Sequence, residues 1–223
     1  MNSNTLTKTE ENYLKAIFKI SEKSQKSAST NAIASQLGTS AASVTDMLKK
    51  LSEKEYVNYE KYKGVTLKAT GRKVATSLIR KHRLWEVFLV KKLRFSWDQV
   101  HEIAEELEHI PSDELIMRLD AYLDYPKFDP HGDPIPNADG KFTIRSQTAL
   151  ADMHKGQQGV LVGVRDHSSE FLKYLSRFNI KLGTHIAVVG QEMFDKSLQV
   201  IINKKETSTL SDVVAQNLLM KKT

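Results

Sequence analysis

The chain has 223 residues, with 33 Lys and Arg against 27 Asp and Glu, a formal net charge of +6 and no cysteine. This composition is typical of a globular protein with one large or two to three small domains. The absence of cysteine excludes a disulfide scaffold, a Cys-ligated zinc finger, an iron–sulfur cluster and a thiol nucleophile. Any metal must be held by imidazole, carboxylate, amide, thioether or backbone groups. We find no secretory signal or membrane span and expect a cytoplasmic protein.

The charge is unevenly distributed along the chain. Residues 1–75 carry 13 Lys and Arg against 7 Asp and Glu, residues 76–145 carry 10 against 13, and residues 146–223 carry 10 against 7. The net charges are therefore +6, −3 and +3. An imbalance of this size is often only a set of solvated helix faces and does not by itself establish a nucleic-acid partner. We predict three domains with these bounds.

The first domain has the element order of a winged helix. Apolar spacing predicts helices over residues 5–23, 30–37 and 41–54, the first beginning near the capping candidates Thr7 and Thr9. A hairpin with a basic tip is predicted in the segment that follows the third helix. This order is typical of a winged helix-turn-helix. From these features alone, DNA binding and a packed helical domain with a solvated basic face both remain open.

The third helix and the wing carry the candidate DNA contacts. Short side chains at the start of that helix would let the backbone approach a groove, and basic side chains would contact phosphates. The candidates near base edges are Ser40, Ala42, Ser43, Thr45 and Asp46, and the candidates for phosphates are Lys49, Lys50, Lys61 and Lys63. Asp46, if it reads a base, would accept a hydrogen bond from a cytosine amine.

The second domain carries imidazoles and carboxylates at helical spacing. Apolar periodicity predicts helices over residues 72–93 and 98–109. One face of the first holds His82 and Glu86, and one face of the second holds His101, Glu105, Glu108 and His109. Such donors without thiolate suit Mn²⁺ or Fe²⁺, and Zn²⁺ would also bind them. The alternative is a set of exposed ion pairs on solvated faces.

A proline-rich connector separates the second and third domains. Four of the five prolines fall within residues 124–141, which predicts an extended segment. Short apolar runs at residues 159–164 and 185–189 then alternate with turns that contain glycine, as in small strands.

Several stretches of the chain together resemble a known family. They are TEENYLKAIF, NAIASQLGTSAASVTDMLKKL, EYVNYEKYKGVTLKATG, IRKHRLWEVFL, VHEIAEELEHIPSDELIMRL, FDPHGDPIP and GVLVGVRDHSSEFLKYLSRFNIKLGTHIAVV. The resemblance is to metal-dependent repressors of the diphtheria toxin repressor and manganese transport regulator type, over essentially the whole chain. It implies a mainly α fold with a small β part: an N-terminal winged helix-turn-helix, a helical dimerisation domain and a C-terminal SH3-like β-barrel.

The resemblance also implies a function. We expect a homodimeric transcriptional repressor of manganese or iron homeostasis that binds a palindromic DNA operator when Mn²⁺ or Fe²⁺ is bound. It would be no enzyme, with neither a membrane nor a small organic substrate as partner. Zn²⁺ or Co²⁺ could bind in vitro.

The resemblance assigns the metal ligands to two sites. The ancillary site would use His82, Glu86 and His101, with His167 and Glu170 from the SH3-like domain, and the primary site would use Glu105, Glu108 and His109, with Asn12 from the first helix. The family has Cys at the first primary-site position in iron-type members and Glu in manganese-type members. Glu105 therefore favours manganese.

Two positions depart from the manganese-type pattern. Asn12 offers a neutral amide oxygen, and Lys15 stands where close metal pairs use a Glu. An ammonium cannot be a ligand and would repel a second cation, so we expect two separated sites. Without metal, Glu105, Glu106 and Glu108 would repel one another and loosen the region. Metal would fix the DNA-binding domain relative to the dimer axis and thereby strengthen DNA binding.

Two other functions remain possible on the residues alone. His and Glu at one-turn spacing can build a catalytic metal centre, although no general base or nucleophile stands out. The acidic helices could also merely dimerise a metal-independent DNA-binding protein. We interpret His131, His154 and His185 as surface or packing residues, and Trp85 and Trp97 as part of the core or the dimer interface.

Overall fold

The computed structural model describes residues 6–60 and 63–223, so the predicted phosphate contact Lys61 lies outside the described residues. The chain forms two compact units, each built from three stretches. The first unit comprises Met1–His82, Leu107–Ser112 and Pro136–Phe142, and the second comprises Arg83–Glu106, Asp113–Ile135 and Thr143–Thr223.

The first unit begins with a winged helix-turn-helix, as the sequence predicted. Its elements are α1 (Lys8–Ser24), α2 (Thr30–Leu37), α3 (Ala41–Glu53), β1 (Val57–Glu60) and β2 (Gly64–Leu67). The two strands pair antiparallel, with the first residue of β1 opposite the last residue of β2.

Local signals in the sequence set the ends of these helices. Thr7 caps α1 in a capping box with Glu10, so the helix begins at Lys8, as the selection of Thr7 as a capping candidate predicted. Gly38 ends α2 with a left-handed φ of 61°. The buried core between the elements includes Leu14, Ile17, Ile33, Val44, Leu48, Leu51, Val57 and Val65.

Three further helices follow: α4 (Ala69–Lys91), α5 (Val100–Leu107) and α6 (Asp113–Tyr122). The predicted helix over residues 98–109 is too long at its C-terminal end, because α5 stops at Leu107 and residues 108 and 109 lie in a turn. In that turn the Ile110 amide donates to the Leu107 carbonyl at 3.2 Å. Pro111 disfavours a helical conformation for its predecessor, which accounts for the early end. Glu108 and His109 therefore do not share a helix face with His101 and Glu105.

The proline-rich connector contains no helix or named strand within residues 124–141. It lies against β4 (Gln158–Val164), where the Val164 amide donates to the His131 carbonyl at 3.0 Å. Arg145 donates from one nitrogen to the carbonyls of Gly132 and Val162, at 2.8 Å each. These bonds fix the position of the HGD segment of the connector in the second unit.

The remaining elements are β3 (Thr148–Ala149), α7 (Ser169–Arg177), β5 (His185–Gln191), β6 (Leu198–Ile202), β7 (Glu206–Leu210), α8 (Asp212–Asn217) and β8 (Leu218–Lys222). The second unit ends in a six-stranded antiparallel sheet with strand order β3-β8-β4-β5-β6-β7. Its core includes Leu161, Leu172, Leu175, Ile180, Ile186 and Val200. Among the described residues, every helix is too short or too polar to span a membrane.

Candidate metal centres and nucleic-acid face

Glu108 is the centre of a buried cluster in the first unit. Lys15 Nζ donates to its two carboxylate oxygens at 2.8 and 2.7 Å, and His82 Nδ1 lies 2.6 Å from Oε2. The exposed fractions of the Glu108, Lys15 and His82 side chains are 0%, 6% and 7%. A buried carboxylate requires such partners, because an unpaired charge in the interior is costly.

His109 extends this cluster towards α1. Its Nδ1 lies 2.6 Å from Glu11 Oε2, and its Nε2 lies 3.8 Å from Glu108 Oε1. Glu11 was not among the predicted ligands. Glu11 is adjacent to the predicted ligand Asn12, which is the feature of the sequence that could have identified it. The helical pattern alone does not show which of these two side chains contacts His109.

The amide oxygen of Asn12 lacks a partner. Its Oδ1 is a buried atom without a hydrogen bond to any described residue. Asn12 lies three residues before Lys15 and next to Glu11, so the three share one stretch of α1. A buried amide oxygen on the same helix as Glu11, whose carboxylate contacts the His109 imidazole, is chemically suited to a divalent cation, because hard and borderline ions take these donors.

Glu108 has a buried positive partner without metal, which weakens its part in the repulsion predicted among Glu105, Glu106 and Glu108. The buried ammonium of Lys15 and the His82 imidazole already hold both of its oxygens. The charge of Glu108 is thus compensated within the first unit, and the predicted repulsion stays a prediction for Glu105 and Glu106.

A second cluster lies wholly within the second unit. Glu86, Asp129 and His131 each present one possible ligand atom, and these atoms lie within 4.8 Å of one another. All three residues are buried. His101 adds an imidazole at the edge, with Nδ1 3.5 Å from Glu86 Oε1.

Hydrogen bonds orient two members of this cluster. Asp129 Oδ1 accepts from the backbone amides of His131 and Asp133 at 2.8 and 3.0 Å. His131 Nε2 donates to the Trp97 carbonyl at 2.8 Å. Its other ring nitrogen, Nδ1, is buried without a hydrogen bond to any described residue. An imidazole fixed through one nitrogen, with the other facing two carboxylates, fits a metal ligand.

The electrostatics of this cluster follow from burial and like charge. Burial alone would lower the pKa of His131, but Glu86 and Asp129 raise it to about 9. Burial, with Glu86 and Asp133 nearby, raises the pKa of the Asp129 carboxyl. Any cation that binds His131 Nδ1 at neutral pH must therefore displace a proton.

His131 is thus buried and not a surface residue. Besides packing in the interior, its ring offers a possible ligand atom to the cluster. The sequence signal was the D-P-H-G motif, which places a carboxylate two residues before the imidazole. His131 was interpreted as a surface or packing residue because it lies in the connector. Glu86 is distant in the chain, and only the fold brings it next to His131. The side chains of His154 and His185 are exposed, as predicted for surface residues.

The other predicted ligands in the second unit have looser surroundings. Glu105 Oε1 lies 3.9 Å from His101 Nε2, and both side chains are more than a third exposed. The His167 ring stacks on His131 with centroids 4.8 Å apart, and its Nε2 lies 3.2 Å from the Val164 carbonyl. Burial lowers the pKa of His167. Glu170 is exposed in the first turn of α7, in no cluster of possible ligands among the described residues.

The predicted base-reading residues lie at the exposed start of α3. Ser40 caps the helix, accepting from the Ser43 amide at 3.1 Å. Ala42, Ser43 and Asp46 are also exposed. Thr45 is half-buried, and its hydroxyl donates to the Ala41 carbonyl at 2.9 Å.

The predicted phosphate-binding lysines that the structure describes are exposed and paired with acidic side chains. Lys49 lies 3.3 Å from Asp46, and Lys63 lies 2.7 Å from Glu60. Lys50 lies 3.1 Å from the fully buried Glu10. The first two pairs are solvent-exposed and therefore weak enough to yield to a phosphate.

Three family models match consecutive parts of the chain. The N-terminal DNA-binding domain of the iron-dependent repressors matches residues 5–65, and their metal-binding and dimerisation domain matches residues 68–137. The FeoA domain model matches residues 148–222.

A solved structure described as a manganese-dependent transcriptional repressor in complex with manganese is similar over almost the whole length. It is 36% identical with a TM-score of 0.87, and the match covers 96% of this chain and 100% of that one. The chain belongs to the family of metal-dependent transcriptional repressors.

Two curated members of the metal-dependent repressor family match in sequence. The diphtheria toxin repressor of Corynebacterium jeikeium is 33% identical over 134 residues, 60% of this chain and 55% of that protein. The transcriptional regulator MntR of Oceanobacillus iheyensis is 33% identical over 123 residues, 55% of this chain and 82% of that protein. The match thus spans about half the length of the diphtheria toxin repressor. The family consists of transcriptional regulators, which excludes the metalloenzyme alternative.

Proposed function

We propose that this chain is a homodimeric repressor that binds its DNA operator when Mn²⁺ is bound, with Fe²⁺ as the alternative metal. The proposal rests on two buried atoms without a hydrogen bond to any described residue. They are Asn12 Oδ1, next to Glu11 in α1, and His131 Nδ1, which lies 3.7 Å from Glu86 Oε2. The likeness to the manganese-bound repressor supports the choice of metal.

Two donor groups would hold the metal. In the first unit they are Glu11, Asn12, Glu108 and His109, with His82 hydrogen-bonded to Glu108, and in the second unit they are Glu86, His101, Asp129 and His131. Glu105, His167 and Glu170 remain ligands proposed from the family resemblance. A bound divalent ion would supply positive charge that holds carboxylates, amide oxygen and imidazole at fixed distances.

The first-unit donors explain how metal would affect DNA binding. Asn12 and Glu11 lie on α1 of the winged helix, whereas Glu108 and His109 lie in the turn after α5. Side chains from both stretches would be held together, so α1 would be fixed against that turn. If this arrangement favours DNA binding, metal and DNA strengthen each other by the same factor.

The DNA-binding face would be the start of α3 and the wing. Ser40, Ala42, Ser43, Thr45 and Asp46 would lie near base edges, and Lys49, Lys50, Lys61 and Lys63 near phosphates. Two copies related by a two-fold axis would read the halves of a palindromic operator.

The test begins with selection of binding sites from random DNA duplexes in the presence of Mn²⁺. Fluorescence anisotropy of the selected duplex is then measured with Mn²⁺, Fe²⁺, Zn²⁺ and chelator. We expect at least about fivefold tighter DNA binding with the activating metal, the lower range of allosteric coupling. Equal affinity with metal and with chelator would contradict the proposal and favour a metal-independent DNA-binding protein.

A matched pair of variants tests the second-unit donors. His131→Gln should weaken Mn²⁺ binding by about tenfold or more at this site, whereas the exposed His185→Gln should leave it unchanged. Calorimetric titration of both proteins with Mn²⁺ makes the comparison. Equal binding by the two variants would remove His131 from the proposed ligands.

A further inference from the structure

Lys15 already occupies a position beside Glu108 that a cation would take. Its ammonium donates to both oxygens of that carboxylate, at 2.8 and 2.7 Å, and the two side chains are 6% and 0% exposed. Each charge is buried, so each depends on the other for compensation. The pair joins positions 93 residues apart in the chain.

Two of the proposed donors lie on the same helix as Lys15. Glu11 and Asn12 lie one turn before Lys15, and Glu11 contacts His109 at 2.6 Å. A divalent ion among Glu11, Asn12 and His109 could reach one oxygen of Glu108, since His109 Nε2 lies 3.8 Å from Oε1. A second ion on the Lys15 side would meet a buried like charge, which is strongly unfavourable in an interior of low dielectric constant.

We propose that the buried ammonium of Lys15 acts as a permanent cation at this site. It sets the metal concentration at which the proposed metal-dependent repressor is activated. It holds Glu108 in place before metal binds, competes with the incoming ion for the carboxylate and limits the first unit to one divalent ion. The inference rests on the proposed function, because it assumes that the first-unit donors bind metal.

Substitution of the lysine tests the competition. In a His131→Gln background, which weakens the second-unit site, calorimetric titration of the full chain with Mn²⁺ should show about tenfold tighter binding for Lys15→Met. Lys23→Met, which removes an exposed lysine from the same helix, should leave the affinity unchanged. Unchanged or weaker binding by Lys15→Met would overturn the inference.

Stability in the absence of metal provides an independent readout. Lys15→Met removes the buried ammonium from Glu108, so the melting temperature measured by circular dichroism should fall in chelator and recover with Mn²⁺ more than in the parent protein. If this variant does not fold at all, Lys15→Gln keeps a hydrogen-bond donor, and tighter Mn²⁺ binding by it is expected. Parent-like affinity of Lys15→Gln would overturn the inference.

Stoichiometry tests the limit of one ion. Native mass spectrometry in the same background should show one more Mn²⁺ per chain for Lys15→Glu than for the parent, and an unchanged count would overturn the limit. Failure of the parent to bind Mn²⁺ in the first unit would instead overturn the proposed function. The two failures are therefore distinguishable.

Discussion

Glu10 shows how one buried charge organises the winged helix. Its side chain is fully buried, and one carboxylate oxygen lies 2.8 Å from Lys54 Nζ and 3.1 Å from Lys50 Nζ. The other oxygen accepts from the Thr7 amide at 2.9 Å. Burial alone would raise the pKa of Glu10, but these hydrogen bonds and charges hold it at about 2. One side chain thus joins the start of α1 to the end of α3.

Replacing Glu10 with Gln should destabilise the protein by about 2 kcal/mol. The variant leaves Lys54 without its carboxylate partner, and hydrogen bonds to charged groups contribute more than neutral ones. Urea denaturation followed by circular dichroism measures the change. Glu53→Gln, at an exposed position of α3, is the control and should change the free energy of unfolding by less than about 0.5 kcal/mol. Equal midpoints for the two variants would contradict this account.

For single residues, the sequence identified the side chains suited to bind metal better than it identified the contacts between them. The spacing of His82 and Glu86, and the proximity of Glu108 and His109, were visible because helical periodicity is local. The contact of Lys15 with Glu108 was not, since it joins positions 93 residues apart. Asp129 and His131 were missed for the same reason, because Glu86 comes from a helix far away in the chain.

The secondary-structure elements show which helix ends can be predicted from neighbouring residues in the sequence. The capping box at Thr7 and the left-handed Gly38 are encoded within a few residues, and the predicted winged helix was confirmed there. The end of α5 was misplaced because apolar periodicity continues past Leu107 and conceals the effect of Pro111. α6 was not predicted at all, although it spans Asp113–Tyr122.

Lys49, an exposed lysine of α3, gives a prediction about DNA binding. Lys49→Ala should make the plot of log affinity against log salt concentration less steep by about 0.9 for each lost phosphate contact, and thus by about 1.8 for the proposed homodimer. Lys155→Ala, exposed in the second unit, is the control and should leave the slope unchanged. Fluorescence anisotropy of the selected duplex at several salt concentrations provides the data. An unchanged slope for Lys49→Ala would remove this residue from the phosphate contacts.

Gly132 in the connector has no room for a side chain. Gly132 has φ of +91°, and a Cβ placed there would lie 2.1 Å from the Val162 carbonyl oxygen. Gly132→Ala should therefore cost more than about 2 kcal/mol and displace the neighbouring His131.

Gly156→Ala is the matched control for this prediction. Gly156 also has a positive φ, of +86°, but no described atom within 4 Å of the added Cβ, so only backbone strain of about 1 kcal/mol is expected. Urea denaturation and Mn²⁺ titration of both variants measure the difference. Equal stabilities would show that the close approach of Gly132 to β4 is unimportant.

For the whole molecule, metal should act on both units. Ligand that binds only the folded state stabilises it by about 2.7 kcal/mol at a free concentration of one hundred times the dissociation constant. Chelator should therefore lower the melting temperature measured by calorimetry, and Mn²⁺ should restore it. A protein carrying both His109→Ala and His131→Gln should show little response to Mn²⁺. A full response in that double variant would place the metal elsewhere.

The order of the three sequence segments does not reveal how the units are assembled. Proline content and net charge divide the chain into consecutive stretches, and the three family models also follow one another along it. The first unit, in contrast, collects Leu107–Ser112 and Pro136–Phe142 in addition to the N-terminal stretch. Contacts such as the stacking of Phe18 on Phe142, with ring centroids 5.8 Å apart, have no local signature.

This three-stretch construction has a consequence for the newly made chain. A ribosome delivers residues in order, and N-terminal units generally fold first. Here the winged helix is synthesised early, whereas Glu108 and Phe142 are synthesised later. Lys15 and Phe18 therefore lack these contacts during the earlier part of translation. The DNA-binding unit therefore completes its packing only after residue 142 has left the exit tunnel. A nascent chain truncated before Glu108 would thus contain a winged helix that lacks the contacts with Glu108 and Phe142.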